Sequence, residues 1–215
     1  EDSAPDRRRT FVMAATSEGA TAGIPSEWSA SIDKLAFDHR EPKVAEADAT
    51  PVEPTARSRL MVLAAGNVPW TEWGDYPAVN DTSSIENPAQ AWNALTVGAC
   101  TNLTAVDKKT WPSLTTLAPE GGLSPSSTTS LLWPTAWPFK PDVVAEGGNG
   151  CLDKGQAVAV VVGPESLRLL TTSHDMTTTL LAEFGDTSAA AAEVARQCAY
   201  VQARYPGYWP ETVRA

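Results

Sequence analysis

The sequence predicts an α/β protein, a mostly parallel sheet with helices on both faces, built as one domain. Three observations carry that prediction. The strand candidates are short and continuously apolar rather than alternating, the pattern of strands covered on both faces. They are separated by helical or long connecting segments of the kind that join parallel strands. The last long segment, rich in alanine, reads as a helix. At 215 residues, with 42% hydrophobic and 20% charged side chains, the chain has the length and composition of one globular domain with a sizeable core.

Residues 10–16 (TFVMAAT) form the first apolar run, behind a charged stretch containing Arg7, Arg8 and Arg9. A glycine-bearing turn follows. Pro25 and Ser26 supply a helix start, and Trp28, Ile32, Leu35 and Ala36 recur at helical spacing, so a helix is expected over 26–37. Residues 38–58 are polar, proline-containing and aperiodic, and read as a mobile surface insertion. The second strand is 60–65 (LMVLAA), closed by Gly66 and Asn67, and a loop carrying Trp70, Trp73 and Tyr76 comes after it. A third strand is expected at 94–99 (ALTVGA), a Ser/Thr-rich loop at 124–130, and a further strand start at 140–145 (KPDVVA) before a turn at Glu146, Gly147 and Gly148. Segments 157–162 and 167–173 are expected to pair as a hairpin across Gly163 and Pro164. The final helix is expected over 188–205, stopped by Pro206 and Gly207.

A formal net charge of -10 argues against a nucleic-acid or anionic-membrane surface, which needs clustered Lys and Arg. The single basic run, 7–9, reads as a solvated edge or linker. Cys100, Cys151 and Cys198 are odd in number and far apart, so buried free thiols are expected rather than a disulfide framework or a metal site. No stretch approaches the roughly 18 apolar residues of a membrane span, and no signal peptide is visible; the compartment stays open, with cytoplasmic only slightly favoured over secreted. Five of the eight tryptophans, Trp70, Trp111, Trp133, Trp137 and Trp209, adjoin proline or glycine in loops and are expected to pack those loops over the sheet.

Ligands of parallel α/β sheets gather at the carboxyl ends of strands. Three segments fall there: the end of the first strand, Met13, Ala14, Ala15 and Thr16; Asn67, directly after the second strand; and Ser188, at the mouth of the alanine-rich helix. A serine at a helix N-terminus lies among unpaired N–H groups and over the positive end of the helix dipole, so an oxyanion formed there is stabilised. An asparagine amide from a neighbouring strand end supplies a second donor, the arrangement that acyl transfer needs. Taken alone, Thr187 and Ser188 before four alanines make a good N-cap and nothing more.

The segments in their order resemble the subtilase (subtilisin-like serine peptidase) family. The family's strand ending in A-A-G-N looks like 60–67, its N-x-I-x-V-G-A segment like 93–99, its serine-rich loop like 124–130, its K-P-D-(I/V)-x-A-x-G like 140–147, and its G-T-S-x-A-x-P like 186–192; with 13–16 and 26–37 the resemblance covers essentially the whole chain. It implies a serine endopeptidase of the Asp-His-Ser type, acting on peptide or protein substrates through an acyl-enzyme. By it, Ser188 is the nucleophile and Asn67 the oxyanion-hole amide. Met13, Ala14, Ala15 and Thr16 border the channel by pairing with an extended peptide, and Ala64, Ala65 and Gly66 form another wall of the primary pocket.

Four departures qualify the resemblance, the first being Ala14, Ala15 and Thr16 where the family has Ser-Leu-Gly, which bears on the substrate-pairing assignment. Asp186 stands where the family has Gly before Thr-Ser, which bears on the turn presenting the serine, and Ala192 stands where it has Pro. Neither a D-(T/S)-G nor an H-G-T motif, which hold the family's catalytic Asp and His, occurs in the chain. Asp33 lies mid-helix and reads as solvated, His39 falls in the polar insertion, and His174 and Asp175 are adjacent, so on a strand they point to opposite faces. The expectation is therefore the C-terminal portion of a catalytic domain, with a sheet incomplete at its N-terminal side, an N-terminal part of the same protein completing the site, and little or no activity alone. A catalytically silent peptide- or protein-binding module is the alternative. A lipase-like hydrolase is disfavoured because no G-x-S-x-G elbow occurs, and the sedolisin branch because it carries Asp where Asn67 stands. No cofactor is expected. Subtilases often bind calcium, which stays possible here, although no loop has the dense Asp/Asn spacing that would make such a site readable.

Overall fold

The computed structural model describes residues 9–17, 23–37, 58–155, 160–161 and 163–215. The insertion expected at 38–58 lies outside them apart from Ser58, as do His39 and most of 157–162. In chain order the elements are β1 (Thr10–Met13), α1 (Glu27–Phe37), β2 (Leu60–Ala64), a 3-10 turn (Trp70–Asp75), α2 (Ala78–Thr82), β3 (Leu95–Thr101), β4 (Leu114–Thr116), β5 (Gly122–Leu123), β6 (Val143–Glu146), β7 (Cys151–Asp153), β8 (Val160–Val161), a 3-10 turn (Glu165–Leu167), β9 (Leu169–Thr172), β10 (Leu181–Phe184), α3 (Asp186–Arg204) and α4 (Pro210–Arg214).

The central sheet runs β1-β2-β3, all parallel, with β6 parallel to β3 and the short β5 antiparallel to the end of β3. The unbroken apolar run of β2 is explained by its two faces. Successive strand side chains point to opposite sides. Leu60, Val62 and Ala64, with Leu95, Val97 and Ala99 of β3, pack against Ala190, Ala191, Val194, Ala195 and Cys198 of α3. Met61, Leu63 and Ala65 pack on the other face against Ile32 and Ala36 of α1 and against Ile85, Ala89, Ala91 and Ala94. Helices on both faces and a mostly parallel sheet are thus what the molecule has. The alanines of α3 let its backbone approach the sheet closely, the physical use of that run.

Helix α1 starts with a reciprocal pair in which the Ser29 N–H donates to Ser26 Oγ (3.1 Å) and the Ser26 N–H donates to Ser29 Oγ (2.8 Å), satisfying donors that a helix start leaves open. Asp33 is not a solvated bystander: its carboxylate accepts the N–H groups of Trp92 (3.1 Å) and Asn93 (2.6 Å), pinning α1 to the loop that enters β3. Spacing showed the helix but not this long-range partner. Lys140 is buried, and its Nζ donates to Ala94 O (2.9 Å) and Asp142 Oδ2 (2.6 Å), while the Thr96 N–H also reaches Asp142 Oδ2 (2.7 Å). Burial pulls the Lys140 pKa down, and the facing Asp142 carboxylate opposes that shift.

The expected hairpin across Gly163 and Pro164 does not form. Pro164 leads into the 3-10 turn Glu165–Leu167, whose Leu167 is buried, so the chain does not reverse there. Instead β8 pairs antiparallel with β7, and β9 pairs with β10. The β9–β10 reversal is made by Asp175, whose Oδ1 accepts the Thr177 N–H (3.1 Å) and hydroxyl (2.5 Å) and whose Oδ2 accepts the Thr178 hydroxyl (2.7 Å). The tryptophan expectation also needs correction, since Trp70, Trp111 and Trp209 are largely exposed. Trp73 seals a loop, buried with its Nε1–H on Val68 O (3.0 Å), and Trp133, edge to face with Trp137, packs against the sheet core as expected. The three cysteines are free thiols, with Cys151 and Cys198 buried and Cys100 half-buried. Among the described residues no helix is long and apolar enough to cross a membrane.

Candidate active site

The end of β2 meets the start of α3. Ala65 is the last core residue of the run, and beyond it Gly66 turns at φ +107, a left-handed conformation that suits glycine. Space forbids a side chain as well: a Cβ there would lie 2.5 Å from Cγ and Cδ of Glu86. The Glu86 N–H donates to Ala65 O (2.9 Å), and Glu86 Oε1 accepts the Asn67 N–H (3.0 Å), so one residue clamps the turn from both sides. Beneath it runs the Ser/Thr-rich loop, which is buried rather than solvated. Thr128 Oγ1 donates to Ala65 O (3.0 Å), and Asn67 bridges Ser127.

Thr187 joins the two elements. It is buried, its N–H donates to Asn67 Oδ1 (3.0 Å), and its hydroxyl lies 2.8 Å from the same oxygen and 3.1 Å from Gly66 O while accepting the Gly66 N–H (3.3 Å). Because a backbone N–H reaches Asn67 at Oδ1, the amide orientation follows and the NH₂ group faces away from Thr187. Ser188 is half-buried, and its Oγ donates to Ala14 O (3.3 Å), just past β1. The simple capping account of this pair therefore fails. The cap position of α3 is Gly185, no side chain caps it, and both hydroxyls are turned toward strand ends instead.

The first-turn donors of a helix lack intrahelical partners. Here Asp186 N–H is taken by Gly147 O (2.7 Å), Thr187 N–H by Asn67 Oδ1, and Ala189 N–H by Gly185 O (3.2 Å). Among the described residues no acceptor meets the N–H of Ser188 or the Nδ2 of Asn67. Among the described residues these two donors stay uncommitted, while the N–H groups of Gly66, Asn67, Asp186, Thr187 and Ala189 around them are taken.

Asp186 is the one non-glycine described residue with positive φ, at 65°. A left-handed conformation costs an ordinary L-residue roughly 1–2 kcal/mol, less for Asp. The turn that the family makes with glycine is therefore kept, on a residue that strains to make it. Gly147 allows the approach, since a Cβ there would lie 2.4 Å from Ala99 Cβ and 3.0 Å from Asp186 O.

The remaining candidates sort as follows. Met13 ends β1 opposite Leu63, Ala14 and Ala15 are exposed, and Thr16 is half-buried. Ala64 and Ala65 spend their side chains in the two cores, so only backbone and Gly66 are left to form a surface. His174 is exposed in the β9–β10 turn, at the end of the hairpin away from Phe184; four strand residues at about 3.3 Å each separate that turn from the α3 mouth. It is not brought to Ser188. Among the described residues no group of three or more His, Cys, Asp or Glu is placed to hold a metal ion. Sequence reasoning missed Glu86 and the bridging role of Thr187. The only sequence signal for them was Thr187 itself, beside the serine.

A parallel α/β sheet, with a serine at the mouth of an alanine-rich helix and an asparagine at an adjacent strand end, is the architecture of a subtilisin-like fold. The family model for the subtilase family matches residues 1–215, and the chain belongs to that family. Solved structures similar to the chain include MycP1 with its N-terminal propeptide removed, at 20% identity and a TM-score of 0.35, covering 73% of this chain and 41% of that one. MycP1 described as a serine protease and an essential component of the type VII (ESX-1) secretion system matches at 20% identity and a TM-score of 0.34, covering 73% and 35%. MycP1 from Mycobacterium smegmatis matches at 19% identity and a TM-score of 0.33, covering 73% and 34%. The chain thus spans well under half the length of these structures. No curated protein matches it.

Proposed function

We propose that this chain carries the nucleophile and oxyanion hole of a serine endopeptidase of the subtilisin type. The observation that supports this best is the pair of uncommitted donors, the Ser188 N–H and the Asn67 amide, at a junction held rigid by Thr187. Ser188 Oγ attacks the scissile carbonyl, the carbonyl oxygen becomes negative, and those two donors receive it. The proton of the Ser188 hydroxyl passes to the general base and on to the leaving amine as the C–N bond breaks, and water then hydrolyses the acyl-enzyme and frees Ser188. The backbone at Met13, Ala14, Ala15 and Thr16 pairs with an extended peptide, and the turn at Ala64, Ala65 and Gly66 walls the pocket for the residue before the cut. No cofactor takes part in this scheme.

The general base and its orienting carboxylate belong, in this reading, to an N-terminal part of the same protein that completes the site. Loss of the base costs on the order of 10⁶ in kcat, the size known for subtilisin itself, so the 215-residue chain alone is inactive. The test uses a fluorogenic peptide. The isolated chain gives no turnover above buffer, and the product of the complete reading frame hydrolyses it. In that product Ser188→Ala abolishes turnover, and Asn67→Ala lowers kcat by roughly 10²–10³-fold, the usual loss for one oxyanion donor. Robust turnover by the isolated chain, or full turnover with Ser188→Ala, would overturn the reading. A complete reading frame that binds peptides but has no turnover would favour the silent binding module.

A further inference from the structure

The strained residue before the candidate nucleophile has an unusual neighbour. Arg168 follows the 3-10 turn Glu165–Leu167, where buried Leu167 anchors the backbone and the Arg168 N–H donates to Glu165 O (3.0 Å). From there its guanidinium lies flat against Gly185: a Cβ on that glycine would fall 2.5 Å from Cζ, 2.6 Å from Nη2 and 2.8 Å from Nη1. Its Nη1 pairs with Asp186 Oδ1 at 3.4 Å, with the Arg168 side chain 13% exposed and that of Asp186 34% exposed. Arg168 Nε is buried with no hydrogen-bond partner among the described residues. A native structure leaves few such groups unmet, and each calls for a reason.

We propose that Arg168 is a positioning residue for Ser188. It holds Asp186 in the left-handed turn by pairing with its carboxylate while its plane braces Gly185, and so does for an aspartate what glycine does unaided. The chain of contacts is continuous. Asp186 N–H is fixed on Gly147 O (2.7 Å), the next N–H, of Thr187, is fixed on Asn67 Oδ1 (3.0 Å), and Ser188 follows. If Asp186 relaxed to an ordinary conformation, the Thr187 bond would break and both the serine and the asparagine amide would lose their aim. A planar guanidinium is needed because it can stack on the glycine and pair at its edge together, which an ammonium cannot. Asp186 and Arg168 are thus a matched pair, each making sense of the other.

The inference rests on the reading of Ser188 as nucleophile, and its test is separable from it. Amide hydrogen exchange by NMR on the chain reports the Thr187 N–H directly, with Val194 in mid-helix as the reference for global opening. Arg168→Gln is expected to speed Thr187 exchange about tenfold while Val194 stays unchanged, with Arg168→Lys giving a smaller acceleration. Asp186→Gly in the Arg168→Gln background is expected to restore slow exchange, because glycine needs no brace. Parallel rather than selective acceleration of Thr187 and Val194, or no rescue by Asp186→Gly, overturns the proposal. If Arg168→Gln fails to fold and the double variant folds, the proposal is supported; if neither folds, Arg168 is a packing residue and the proposal fails. In the complete reading frame product the same rescue is expected in kcat with KM unchanged. Exchange behaving as expected while Ser188→Ala leaves turnover intact sinks the nucleophile and keeps the brace.

Discussion

Gly66 carries two demands at once, a left-handed φ of +107 and Glu86 side-chain carbons 2.5 Å from where a Cβ would sit. Gly66→Ala must therefore either flip the turn or expel Glu86, and Glu86 also holds the Asn67 N–H. A loss of about 2–4 kcal/mol is expected, combining overpacking with backbone strain, read as a lower urea midpoint at unchanged slope. Thr187 shows how one residue escapes notice in a sequence. Next to a serine and ahead of four alanines it reads as a cap, yet its hydroxyl serves Gly66 and Asn67 across 121 and 120 positions of chain. The two residues of the proposed site, Asn67 and Ser188, could be named from the sequence because their residue types suit the proposed chemistry and their flanking strand and helix were visible. Glu86 and Arg168 were not, because nothing local marks a carboxylate or guanidinium that acts on a distant turn.

Helix α3 divides sharply between faces. Ala190 and Ala191 are wholly buried against the sheet, while Ala192 is exposed. Ala190→Leu is expected to cost roughly 1–3 kcal/mol by overpacking, and Ala192→Leu to change stability by less than about 0.5 kcal/mol; thermal or urea unfolding of the two variants compares them. On the outer face the Arg196 guanidinium and the Gln197 amide donate to Glu193 and hold its carboxyl at about 2, against an ordinary 4.5. A depressed carboxyl favours the folded state at pH above 4.5, and that contribution fades as pH falls toward about 2. An NMR titration of the Glu193 carboxyl carbon should show a midpoint near that low value, and Arg196→Ala should return it toward the ordinary one. The hairpin at 169–184 is the element where local reading failed. Gly163 and Pro164 look like a hairpin turn, but burial of Leu167 sends the chain onward, and the true reversal uses an aspartate and two threonines.

At the scale of the whole molecule, a net charge of -10 leaves a surface that self-repels at neutral pH and loses that protection near the isoelectric point of about 4.6. Solubility is expected to pass through a minimum there, measured as the protein left in solution after incubation across pH 3.5 to 8. At the sheet edges among the described residues, Val12 on β1 and Val143 and Val144 on β6 are exposed to solvent, so the precipitate forms most readily where charge no longer keeps copies apart.

The sequence by itself determined the class of the fold, because apolar runs without alternation require a sheet covered on both faces and the alanine run requires a helix lying close upon it. It also determined the family, through motifs whose order and chemistry are local. Only the tertiary structure decided which strands pair in the 151–184 region, which donors at the α3 mouth are committed and which are left open, and how Asp186 is held in a glycine's conformation. Those outcomes depend on contacts between residues far apart in the chain, such as Arg168 on Gly185, Glu86 on Gly66 and Thr187 on Asn67, and no local pattern of residue types encodes a distance.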